Sequence, residues 1–81
     1  MNELILFLAR ALVDKPDEVK VTEVKETERD GTIVHVFELQ VAQEDLGKVI
    51  GKGGRTAHAL RAVLSAAGAK AQRRVALEIL D

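Results

Sequence analysis

Eighty-one residues provide one small domain with a core of marginal size and leave no room for a separate catalytic lobe. The absence of cysteine excludes disulfides and cysteine-dependent zinc sites, and no apolar run approaches the roughly 18 residues needed to cross a bilayer. The net charge of −1 is unevenly spread: residues 1–45 carry eleven acidic and five basic side chains, whereas residues 46–81 carry seven basic and two acidic ones.

The opening Met1-Asn2-Glu3 lacks the positive segment of a secretory leader, and Arg10 soon interrupts the apolar run that follows. A soluble, unprocessed, cytoplasmic protein without membrane contact is expected. Leu4, Phe7, Leu8, Ala11 and Leu12 recur at helical spacing and predict an amphipathic helix over residues 2–13, stopped by Pro16. Residues 19–28 are rich in Val and Thr and partly alternate, as an exposed strand does. Arg29-Asp30-Gly31 supplies a hairpin turn. Residues 32–42 form the most apolar strand, with Ile33, Phe37, Leu39 and Val41 directed at the helices and His35 on the same side. Phe7 and Phe37 are the only aromatic residues, so the core is assembled from Val, Leu, Ile and Ala.

A short helix is predicted from Gln43 to Ile50, broken by the glycine cluster at 51–54. A longer helix follows from Arg55 to Ala67, with Leu60, Val63, Leu64 and Ala67 on one face and Gly68 as its C-terminal cap. Residues 73–80 read as a last strand with Val75, Leu77 and Ile79 turned inward. A β-α-α-β crossover within one sheet is right-handed and parallel, whereas the hairpin pairs its strands antiparallel. The predicted fold is therefore α+β in the order α-β-β-α-α-β, a three-stranded mixed sheet covered on one face by three helices.

The segment with chemical content is Asp45-Leu46-Gly47-Lys48-Val49-Ile50-Gly51-Lys52-Gly53-Gly54-Arg55. Gly51 can take the positive φ that ends a helix, and glycines 53 and 54 remove bulk where another backbone approaches. The loop feeds a helix N-terminus, whose unpaired N–H groups and dipole favour a phosphate. Lys52 at the tip, Arg55 just beyond and Lys48 one turn earlier add positive charge along the same path. From Leu46 to Leu77 there is no acidic residue, so the local field suits a polyanion despite the net charge. Other glycine motifs fail on spacing. A nucleotide-binding P-loop requires glycine where Lys52 stands, and a dinucleotide fingerprint requires a third glycine where Thr56 stands.

Val49-Ile50-Gly51-Lys52-Gly53-Gly54 resembles the I-G-x-x-G signature of KH domains, and the element order is similar to their prokaryotic type II arrangement. The run from Asp45 to Lys52, followed by Ala59-Leu60-Arg61, resembles the small bacterial RNA-binding members of that family. The resemblance in architecture covers the whole chain, read as a single domain over 1–81. It implies a non-catalytic protein that grips single-stranded RNA, with the G-x-x-G loop holding the backbone of about four nucleotides. It places the bases in a groove between the two middle helices and the edge strand. The implied RNA-binding residues are Lys48, Ile50, Gly51, Lys52, Gly53, Gly54, Arg55, Arg73 and Arg74. It also implies an RNA chaperone or post-transcriptional regulator that pairs with itself or with another KH protein, and requires no cofactor or metal.

The enzyme readings are weak. His35 is read as a satisfied strand residue and His58 as a solvated one. Glu44 and Asp45 are adjacent on a helix, do not face each other and complement its dipole. Ser65 has no evident base. The alternative from a different class is a dimerisation or scaffold module. Ala59, Ala62 and Ala66 share a low-bulk face that admits a second helix, although alanine is also simply a good helix former.

Overall fold

β1 (Lys20–Thr27) and β2 (Ile33–Gln40) pair antiparallel, from Lys20 opposite Gln40 to Thr27 opposite Ile33, in the computed structural model, which describes residues 1–81. Their turn is held by the Asp30 carboxylate, which accepts the Thr32 N–H at 2.9 Å. β3 (Arg74–Ile79) joins the other side of β2 in parallel, with Val34 opposite Arg74 and Leu39 opposite Ile79. The sheet order is β1-β2-β3, with β2 central. α1 (Asn2–Leu12) precedes the sheet, while α2 (Leu46–Ile50) and α3 (Arg55–Lys70) fill the crossover between β2 and β3. The mixed sheet, its parallel closing strand and the three helices agree with the arrangement expected from the sequence.

Period-two alternation decides which side of the sheet the helices cover. Phe37, Leu39 and Leu77 are buried together with Ile5, Val49, Leu60 and Leu64 in one apolar cluster. The opposite face carries Lys20, Thr22, Glu26, Glu38 and Glu78, with only Val36 buried at its centre.

Four expectations require correction. α1 buries Ile5 and Ala9, and leaves Phe7 71% and Leu12 38% exposed. This helix is apolar on nearly every side, so spacing alone admits more than one inward face. Ile33 is half-exposed because it opens β2 beyond the cover of the helices, and Val63 is 46% exposed at the rim of α3 facing α1. Gly68 does not cap α3, which continues to Lys70; it is buried within the helix, where an added Cβ would lie 2.7 Å from Val75 Cγ2 and 2.9 Å from the Arg73 carbonyl oxygen. Gly68 thus sets how closely α3 approaches β3. The cap itself is a Schellman arrangement around Gln72 at φ 58°. Arg73 N–H donates to the Gly68 carbonyl at 2.7 Å, and Gln72 N–H donates to the Ala69 carbonyl at 3.0 Å.

Candidate nucleic-acid interface

α2 ends when the Gly51 N–H closes on the Gly47 carbonyl at 2.8 Å. The chain then leaves at φ 76°, ψ 170°, a region that side chains other than hydrogen exclude. A Cβ on Gly51 would stand 2.2 Å from Thr56 Oγ1 and 2.8 Å from the Thr56 nitrogen, so the first turn of α3 folds directly over this glycine. Lys52–Gly54 make a single 3-10 turn, closed by Gly54 N–H on the Gly51 carbonyl at 3.1 Å. Lys52 and Gly53 are exposed at its tip.

α3 then begins with no side-chain cap and no acidic residue in its first turn. Its first residue is Arg55, a cation at the positive end of the helix dipole. Neither Lys52 nor Arg55 has an ion-pair partner within the chain. The positive end of the α3 dipole, two free cations and an absence of bulk therefore converge on one exposed turn. What would satisfy all three is an anion with a slender backbone. Ile50, 36% exposed at the end of α2, adds an apolar contact beside the turn.

The other residues inferred from the sequence are placed differently. Lys48 does not extend the track as a free cation: its ammonium lies 2.6 Å from Asp14 Oδ2 and 3.2 Å from Asp45 Oδ1. The Asp14 and Asp45 carboxylates raise its pKa from the usual lysine value. Asp45 is no helix-end ornament either. It is 1% exposed and accepts the Lys15 backbone N–H at 2.9 Å, joining the α1–β1 connection to the start of α2. Glu44 reaches Lys15 as well, and the hydrogen bond from that ammonium is the main cause holding its carboxyl below the usual range. Arg74 lies 3.5 Å from Glu28 at the exposed end of the sheet. Arg73 borders a cleft of about 620 Å³ with Ser65, Gln72 and His35, at the far end of α3 from the loop. His35 is satisfied there by Glu23 at 2.6 Å, as expected of a strand histidine. That hydrogen bond is the main influence lowering the Glu23 pKa.

The loop residues Ile50 to Arg55 thus lie together on one exposed turn, with Arg73 and Arg74 apart from it at the end of β3. Arg61, to which the sequence assigned no role, donates its Nε–H to the Leu77 carbonyl at 3.3 Å and bridges α3 to the edge strand. Its position six residues after Arg55, on an exposed helix face, was the available signal. No three His, Asp or Glu side chains gather at a point suited to a metal ion. No helix is long and apolar enough to cross a membrane.

Residues 2–79 match the family described as "KhpA/KhpB, KH domain". Among curated proteins, the chain is 53% identical over 80 residues to the RNA-binding protein KhpA of Treponema pallidum, covering 99% of this chain and 94% of that one. It is 52% identical over 81 residues to the RNA-binding protein KhpA of Halalkalibacterium halodurans, with both chains covered in full. The RNA-binding protein KhpA of Aquifex aeolicus is 46% identical over 81 residues, covering 100% of this chain and 96% of the relative.

Proposed function

The chain belongs to the KhpA/KhpB family of KH domains, and from that premise we propose that it binds single-stranded RNA through the Gly51–Gly54 loop. The observation that carries this reading is the uncapped start of α3 beneath an exposed glycine turn, with Lys52 and Arg55 unpaired. The RNA backbone passes over the loop, where missing side chains allow close approach and the N–H groups of α3 meet a phosphate. Ile50 contacts an adjoining nucleotide. The protein changes no covalent bond: it acts in the cytoplasm as an RNA chaperone or post-transcriptional regulator. Lys52→Ala should weaken binding to many single-stranded RNAs by a similar factor. It should also make the log–log salt dependence shallower by about 0.7, the share of one neutralised phosphate. Titrations at several salt concentrations check both. An unchanged slope would remove Lys52 from the phosphate contact.

A second surface favours self-association. Leu8, Ala11 and Leu12 of α1 face Thr56, Ala59 and Val63 of α3 across an apolar groove. Leu12 and Val63 stand exposed on its two walls, and a partner seated there would remove both from water. We propose that a second copy of this chain, or another KH domain, covers this groove. The low bulk of Ala59 permits close helix contact. The RNA loop lies at the start of α3, so dimerisation would carry two loops on one particle. One RNA spanning both would gain about 10²–10⁴ in apparent affinity. Val63→Glu should leave the fold intact and shift the mass by light scattering from dimer to monomer. A wild-type mass that stays monomeric at high concentration would remove the homodimer.

A further inference from the structure

Arg61 stands on the exposed face of α3, about 9 Å along the helix axis from Arg55. Its Nε–H donates to Leu77 at 3.3 Å, the one side-chain hydrogen bond that ties α3 to a strand. Leu77 belongs to β3, which has β2 on one side and no strand on the other. Leu80 donates its N–H to the Leu39 carbonyl at 2.9 Å across the β2–β3 pairing. Alternation along a strand then turns the polar backbone groups of residues 75, 77 and 79 outward. Arg61 therefore covers one of the few backbone acceptors that this edge presents. Arg61 has no ion-pair partner in the chain, and its planar guanidinium keeps its other N–H groups free.

Unpaired bases are read on their edges by hydrogen bonding. Adenine pairs its amine with a single adjacent ring-nitrogen acceptor, whereas uracil carries two carbonyl oxygens and the O6/N7 edge of guanine two adjacent acceptors, both better matched to a fork of donors. With the guanidinium standing over the Leu77 carbonyl, an approaching amine meets N–H groups before it meets the acceptor, whereas a carbonyl meets donors directly. Resting on the reading of the loop and α3 as an RNA surface, we infer that Arg61 sets base preference. It masks the Leu77 carbonyl and presents its own N–H groups, favouring uracil or guanine over adenine in the nucleotide that passes between α3 and β3. Arg61 differs in this from Lys52, whose phosphate contact is indifferent to base.

The test compares wild type, Arg61→Met and Arg61→Lys by anisotropy titration against labelled oligouridylate and oligoadenylate of equal length at one salt concentration. Wild type binds the uridylate more tightly. Arg61→Met uncovers the carbonyl and removes the donors, so the uridylate-over-adenylate ratio falls by about tenfold, beyond any uniform loss from the missing charge. Arg61→Lys keeps the charge but not the planar fork, so overall affinity is largely retained while the ratio still falls. It carries the same test should the Met variant lose its circular dichroism spectrum. A ratio unchanged in both variants overturns the proposal and leaves Arg61 as a plain counter-ion for phosphate. Wild type binding neither oligonucleotide overturns the RNA reading itself, an outcome separate from any change in ratio.

Discussion

Replacing Lys52 and Gly53 together by aspartate will weaken binding of single-stranded RNA by at least about thirtyfold while the far-UV circular dichroism spectrum stays unchanged. The loss follows from placing two negative charges where an RNA phosphate must approach. A close charge contact weighs about 1 kcal/mol in water and up to about 4 kcal/mol at the effective dielectric of a protein surface. The fold tolerates both changes. Lys52 makes no ion pair, and a Cβ built on Gly53 meets nothing within 4 Å. Gly53 does sit at φ 65°, ψ 19°, but aspartate is among the residues that enter this left-handed region at modest cost. Gly51 would be the wrong choice for this experiment, because the contact with Thr56 makes any substitution there a packing defect. If the double variant remains folded and binds RNA with unaltered affinity and salt slope, the loop is not the binding site, and the role in association takes first place.

Asp45→Ala will destabilise the domain more than the loss of any other single carboxylate, lowering the thermal midpoint by more than about 10 °C. Asp45 is the one buried charged residue, and it serves two partners that are otherwise separate in sequence, the Lys15 N–H and the Lys48 ammonium. Without it, a partly buried backbone donor loses its acceptor, and α2 loses its link to the α1–β1 connection. The same residue predicts a pH dependence. Burial is the largest single influence and pushes its carboxyl pKa up. The Lys15 backbone hydrogen bond, the influence of the Asp14 backbone, and the hydrogen bond and charge of Lys48 together outweigh it, leaving the pKa below the usual aspartate value. A pKa lower in the folded than in the unfolded chain means stability that is complete above the unfolded value, near 3.9, and is lost as pH falls through the folded one. The urea midpoint of wild type should therefore drop steeply below about pH 4, and that of Asp45→Asn less steeply. Glu23, Asp30 and Glu44 also have lowered pKa values and act in the same window, so the difference between the two curves isolates Asp45. Parallel curves would show that Asp45 contributes nothing to acid sensitivity.

The elements themselves were legible because each left a periodic trace. Phe37 and Leu39 alternate with Glu38 and Gln40 along β2, and Leu60 and Leu64 repeat at one helical turn along α3. Asp30-Gly31 and the 51–54 cluster mark the two turns that matter. The glycine loop could be read as a site for the same reason: backbone conformation, exposure and terminal N–H groups are local properties, fixed by a few consecutive residues. The inward face of α1 was not legible, since a helix containing Leu4, Ile5, Leu6, Phe7 and Leu8 in succession offers apolar side chains in almost every direction. Gly68 invited a reading as a helix end because its approach to Val75 depends on a strand that follows the next turn. Charge pairing was hidden for a similar reason. Asp14 stands 34 residues from Lys48, and nothing in the sequence says that they meet. A list of basic residues thus overstated the free cations, and it could not show the bridge from Arg61 to Leu77, which depends on which edge strand lies opposite.

The parallel pairing of β2 and β3 also dictates the order in which the binding site can come into being. The β1–β2 hairpin closes over a handful of residues, but Val34 must find Arg74, forty positions later. Such a closure is slow, because the entropy of the whole intervening segment is lost before any strand contact compensates for it. Here that segment holds α2, the glycine turn and α3. While the chain emerges from a ribosome, the last strand is synthesised after every residue of the site, and α3 has no sheet edge to rest against until it arrives. A nascent chain still lacking β3 would carry all the loop residues on a helix not yet seated against its strand. The seating of α3 on the sheet thereby waits for completed synthesis of the strand, rather than for the appearance of the loop.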